Sequence, residues 1–250
     1  DDAVQVAGRK TQSIDASAIL PPVGVQAQAP VHTLILGWNR RAALMIGELD
    51  HYVPPGSQVT VVAAVPVAEM RAACACQPLQ NLAITFQEGE TTRRAVLDEL
   101  PIPQYQHVLI LSDSDHLDAQ AADARTLITL IHLRDLSAKF GHKLSITSEM
   151  LDVQNRDLAT VTQADDFIVS ERLVSLFLAQ LAENKELSQV FADLFDADGA
   201  EIYLKPVGDY VTLDKPLTFY TVVEAARQRN EIAIGYRLLR YAQDPAQMYG

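Results

Sequence analysis

Three features of the sequence predict an α/β protein on one parallel sheet. Six short apolar runs occur, they show little apolar–polar alternation, and a stretch of helical character follows each of them. Strands of that kind are buried on both faces, so helices must cover the sheet above and below. Six such units describe a Rossmann-like, doubly wound sheet. After the sixth run the rhythm breaks, which predicts a helix-turn-helix crossover and a small α+β C-terminal lobe.

Residues 1–30 lack a stable period and are predicted to be a linker of Asp, Gln, Ser, Pro and Ala. Val31 to Gly37 is the first strand, an apolar run closed by glycine, and Arg40 to Leu49 is a helix facing inward through Ala43, Leu44, Ile46 and Leu49. The Pro54-Pro55-Gly56-Ser57 turn leads to a strand over Gln58 to Ala64, and Pro66 suits the first turn of the next helix. Asn81 to Phe86, His107 to Leu111, Lys143 to Ser148 and Asp166 to Val169 supply the other strands. Their helices are Thr91 to Leu100, with Thr91 or Thr92 as N-cap, Leu117 to Phe140, and Asn155 to Val161. The region 31–170 is therefore one lobe.

Residues 171–199 form the crossover, with helices at 171–184 and 187–195. Leu173, Leu176, Phe177 and Leu181 spread over more than half of the first helix's circumference, and Phe191, Leu194 and Phe195 add a second apolar surface. Left exposed they would make a patch that monomers rarely tolerate, so these seven residues are predicted to form a self-association interface. The lobe at 200–250 is expected to hold strands at 201–204 and 232–236 around a helix at 218–229, and to be incomplete at Gly250.

A net charge of -12 argues against a phosphate-tracking nucleic-acid surface and against an anionic membrane. The two cysteines, Cys74 and Cys76, complete no zinc set and fit a reducing compartment. The longest uncharged stretch, Ala16 to Trp38, is broken by three prolines and cannot span a bilayer as a helix. No Walker loop, G-x-S-x-G elbow, H-E-x-x-H or C-x-x-C occurs, and the histidines are scattered, so no catalytic residue is assigned.

Two places could hold a ligand. A dinucleotide turn wants three glycines, but this one reads Gly37-Trp38-Asn39-Arg40-Arg41-Ala42, with Asn39 and Ala42 at the second and third glycine positions. The second strand also lacks a terminal acid before Glu69. Both departures argue against bound NAD, although Arg40 and Arg41 could hold another anion. The second place is acidic. Asp113, Asp115 and Asp118 follow the fourth strand, and Glu149 and Asp152 follow the fifth, at the sheet edge where ligands enter such folds. These five carboxylates could supply oxygens to Ca²⁺ or another hard cation, or serve as solvated loop and helix cap.

Several motifs resemble the cytosolic part of the CASTOR/POLLUX channel family. They are Gly37-Trp38-Asn39-Arg40-Arg41, Pro55-Gly56-Ser57, Leu109 to Asp113, Gln120 to Leu127, Ser148 to Asp152, Asp165 to Ser170, Leu173-Val174-Ser175, Ala226 to Arg229 and Ile234 to Leu238. The resemblance runs from about Val31 to about Arg240. It implies an RCK (TrkA-N-like) domain, the second of two in tandem behind a potassium-channel-like pore, with Asp1-Asp2 and the linker leaving the first. It also implies a cytosolic gating ring in a tetramer, with Ca²⁺ conduction or regulation. Against calcium-gated RCK relatives, Glu149 matches an acidic position, whereas Ser112 and Leu151 stand where further acids would be. The resulting expectation is a non-enzymatic domain that senses a ligand or ion for a potassium/calcium-type cation channel. Its partners would be a second copy, the preceding RCK domain and the pore. The alternatives are an NAD-binding Rossmann oxidoreductase and a ligand-free assembly module.

Overall fold

The structure, a computed structural model, describes residues 13–22, 29–76, 78–142, 144–155, 166–197, 199 and 202–238. The strands are β1 (His32–Leu36), β2 (Ser57–Ala63), β3 (Leu82–Glu88), β4 (His107–Ile110), β5 (Ser145–Met150) and β6 (Asp166–Val169). All pair in parallel in the order β3-β2-β1-β4-β5-β6, so the chain reverses its direction of growth between β1 and β4. Register is set by Leu36 opposite Val62 on one side and Ile110 on the other. The six parallel strands of a Rossmann-like sheet agree with the sequence expectation.

Among the described residues a helix follows each of the first four strands, α1 (Ala42–Tyr52), α2 (Val67–Cys74), α3 (Arg94–Asp98) and α4 (Ala119–Phe140), and α5 (Ser170–Glu183) follows β6. Two more follow, α6 (Leu187–Phe195) and α7 (Phe219–Arg227). On one face of the sheet, Leu34, Leu36, Val108, Ile110 and Ile146 pack with Leu97 of α3 and Leu130, Leu133 and Leu136 of α4. On the other, Ile35, Val59, Val61 and Ala63 pack with Ala42 and Ile46 of α1 and Met70 of α2. Alternate residues of β1 thus serve opposite cores, which is why the strands read as unbroken apolar runs. Each fully buried Leu or Ile contributes about 1.5–3 kcal/mol.

Local chemistry sets the ends. Asp118 accepts a hydrogen bond from Ala121 N at 2.9 Å and opens α4, as its sequence position predicts for a cap. Gly141, at φ 62°, closes it in a left-handed cap. The expected cap of α3 is different. Neither Thr91 nor Thr92 caps it, and the helix is short. Thr91 is buried with its hydroxyl on Thr129, at 3.2 Å, and Thr92 donates to Glu90. A tertiary partner, Thr129, and a local one, Glu90, took the two hydroxyls away from the helix end. The helix expected at 155–161 lies, beyond Asn155, outside the described residues, as do Asp1 and Asp2.

The described residues of 28–201 form one compact unit and those of 1–27 and 202–250 another. The second unit corrects two expectations. First, residues 13–22 are no free linker. Ile19 bridges Val211, Leu20 N donates to Tyr210 O at 2.9 Å, and Thr212 N donates to Ala18 O at 2.9 Å. Ala18 is buried, and Ile19 packs against the cluster of Tyr210, Val211, Ala225 and Ala226, so a short apolar Ala-Ile pair within a polar stretch is enough to dock the segment. Arg229 holds it further, with its guanidinium over the Tyr210 ring at 4.2 Å and hydrogen bonds to the carbonyls of Leu20 and Pro21. Second, residues 202–206 and 231–238 carry no strand. Their backbones find no ladder partner among the described residues, and Ile202, Leu204, Ile232, Ile234 and Tyr236 lie exposed.

Candidate functional site at the carboxyl edge of the sheet

The turn after β1 begins with Gly37 at φ 92°, and a Cβ there would lie 2.4 Å from Leu111 O. Glycine is thus required by the close approach of β4's extension. Asn39 does not project toward an incoming ligand. It is buried, and its amide donates to Ser112 O at 2.9 Å and to Glu149 Oε2 at 3.0 Å. Its Oδ1 accepts from Arg41 N at 3.0 Å. Ala42 is packed in the core and starts α1. Glu149, at the end of β5 and 7% exposed, also accepts from Ser112 N at 3.2 Å and from the Arg41 guanidinium. The network joins the β1 turn to the β4 and β5 ends across the strand-order reversal.

The five carboxylates proposed as cation ligands are not brought together. Asp118 caps α4, and Asp152 accepts from Gln154 N at 2.9 Å in its own turn. Glu149 is held by Arg41, Asn39 and Ser112. Asp115 accepts from Arg40 N at 2.6 Å, and Asp113 pairs with His116 at 2.8 Å. Among the described residues no group of three or more His, Cys, Asp or Glu is placed to hold a metal ion. The donor set therefore does not fit a Ca²⁺ site. The sequence put the acids at one edge, but each finds a nearer cation or N–H group than a neighbouring carboxylate.

A cavity of about 330 Å³ opens beside the turn, lined by Gly37, Trp38, residues 63–66, Glu69, Glu90, Arg125 and His116 among others. Arg125 of α4 spans to Glu90, after β3, with its Nη2 at 2.6 Å from both carboxylate oxygens. Burial pushes the Glu90 carboxyl up, but hydrogen bonds from Arg125 and Thr92 outweigh it and hold the group below its ordinary value. This pair was not singled out from the sequence. Its members lie 35 residues apart on different elements, and no local pattern links them.

At the cavity's rim, the hydrogen bond and charge of Asp113, aided by Asp115, raise the His116 imidazole above 6.5. A raised histidine favours the folded state below its unfolded pKa, and this contribution is lost as pH rises through the folded value. In an NMR titration His116 should titrate above 6.5, and Asp113→Asn should bring it back down. An imidazole unaffected by Asp113→Asn would show that the pair does not form in solution.

No protein-family model matches the chain. Among curated proteins, the probable ion channel CASTOR of Oryza sativa subsp. japonica is 31% identical over 254 residues, covering 88% of this chain and 28% of its own. Ion channel DMI1 of Medicago truncatula is 32% identical, covering 84% and 28%, and ion channel POLLUX of Lotus japonicus is 32% identical, covering 84% and 26%. The chain thus spans little more than a quarter of these relatives. Among solved structures, the human SLO3 gating ring covers 70% of the chain and 31% of its own at 14% identity and a TM-score of 0.48. The TrkA-N domain of the Escherichia coli inner membrane protein ybaL covers 62% of the chain and 98% of its own at 13% identity and a TM-score of 0.45. Among the described residues no helix is long and apolar enough to cross a membrane. At about 30% identity through most of its length, the chain is homologous to a segment of the CASTOR/POLLUX-type ion channels.

Proposed function

We propose that this chain is the cytosolic regulatory domain, of RCK type, of a cation channel. It senses a small ligand or ion and transmits occupancy to a pore elsewhere in the full protein. The observation that carries this reading is identity with proteins named ion channels over 84–88% of the chain. The cavity at the sheet edge supports it, because its walls come from β2, β4, α2, α4 and the turns after β1 and β3, and a ligand there would couple them. No catalytic role is assigned to any residue, and NAD turnover is not expected. The domain acts in a gating ring, beside the preceding RCK domain, and associates with a second copy through α5 and α6.

The full-length protein, reconstituted in liposomes, tests this reading. K⁺ and Ca²⁺ flux should respond to at least one of Ca²⁺, Mg²⁺, NAD and adenine nucleotides. Removing residues 28–238 should abolish that response. A response that survives the deletion, or steady NAD oxidation or reduction by the chain, would overturn it.

A further inference from the structure

The β1 turn has the shape of an anion seat, but the backbone N–H groups of Arg40, Arg41 and Ala42 are already bonded. In a dinucleotide fold the backbone N–H groups that open the first helix point at a pyrophosphate. Here each is taken from within the chain. Arg40 N is bound by Asp115 at 2.6 Å, Arg41 N by the Asn39 side chain at 3.0 Å, and Ala42 N by Asn39 O at 2.9 Å. The side-chain and loop donors nearby converge instead on one carboxylate. Glu149 receives the Arg41 guanidinium, the Asn39 amide and Ser112 N. A guanidinium, an amide and a backbone N–H are the groups that would hold a phosphate.

We infer that the Glu149 carboxylate is a built-in anion: it occupies the phosphate seat of the degenerate turn and latches it shut against anionic ligands. Two residues of the turn act on the same group. Asn39, at the second glycine position, turns its side chain inward to the carboxylate, and Arg41 neutralises it. Burial favours the internal carboxylate. Glu149 is 7% exposed while the Arg41 side chain is 36% exposed, so a phosphate reaching the guanidinium from solvent would have to compete with a carboxylate already held in place. The inference concerns the isolated chain and does not rest on a channel role.

Inorganic pyrophosphate is the probe, titrated calorimetrically into the chain. The wild type should show no binding at millimolar concentration. Glu149→Gln keeps the side chain's shape but releases Arg41, so it should gain pyrophosphate affinity by roughly tenfold or more. Adding Arg41→Gln should remove the gain. A folded Glu149→Gln protein that gains nothing overturns the inference, and so does a wild type that binds as tightly as the variant. If Glu149→Gln does not fold, Arg41→Gln decides. It leaves the buried carboxylate without its cation and should lower Tm by roughly 5 °C or more, with Arg41→Lys recovering part of the loss. An unchanged Tm in Arg41→Gln sinks the latch.

Discussion

Asp50→Ala is expected to cost the sheet unit roughly 3–5 kcal/mol, among the largest losses available to a single substitution in this chain. Asp50 sits in α1, 3% exposed, and its carboxylate accepts from the backbone N–H groups of Gln80, Asn81 and Leu82 at 2.9, 2.8 and 2.8 Å. It thereby fixes the entry of β3, and Asn81 returns a hydrogen bond to Asp50 O at 2.8 Å. Alanine would orphan three donors at once, each costing about 1–3 kcal/mol when buried. Asp50→Asn should cost less, because its Oδ1 can still accept from Asn81 N and Leu82 N, while its NH₂ group would face the single donor Gln80 N. Burial works to raise this carboxyl, yet the three N–H donors, with a smaller contribution from His51, hold it below its ordinary 3.8. A depressed carboxyl contributes its stability fully above that ordinary value and loses it as pH falls through the folded value. Urea melts of wild type and Asp50→Asn should therefore converge under acid conditions. A difference that is constant down to the acid transition would refute the role given to the charge.

Leu176→Asp should turn a self-associating chain into folded monomers, whereas Phe177→Asp should loosen the helix pair itself. The seven apolar residues predicted as one interface divide in two. The Phe177 ring meets Phe191 edge-on at 4.7 Å and Phe195 at 5.5 Å, which clamps α5 onto α6. Tyr52 ties the end of α6 to the sheet unit by donating to Phe195 O at 2.8 Å. Leu181, Phe191 and Leu194 are likewise half-buried. Leu173 and Leu176, joined by Val174 and Leu178, stay outward, with Leu176 53% exposed. At that exposure a charge at Leu176 can stay in water and removes apolar area from the outer face. A charge at Phe177 strips two ring contacts and should cost about 3 kcal/mol. Sedimentation and thermal melts separate the outcomes. A wild type that sediments as a monomer at tens of micromolar, or Leu176→Asp still assembled, would remove α5 as the interface.

The parallel sheet and its order of elements were legible because burial on both faces leaves a local trace, an apolar run followed by a helical period. Gly37 and the Asp118 cap were legible for a similar reason, since each answers a demand of its own backbone turn. The linker expectation failed at Ala18 and Ile19, where two side chains docked a polar segment onto Val211. Of the strands expected at 201–204 and 232–236, none forms among the described residues, because an apolar run makes a strand only where another backbone is there to pair with it. The acidic edge shows the same division. Sequence alone put Asp113, Asp115 and Glu149 at the carboxyl ends of neighbouring strands. Only the tertiary structure decided their partners, giving His116 to Asp113, Arg40 to Asp115, and Arg41 with Asn39 to Glu149. Residue type and spacing determine which backbone a segment adopts, through short-range sterics and periodic burial. Which groups a buried carboxylate such as Glu149 meets depends on residues 37 to 110 positions away, and only folding brings those within 3.2 Å.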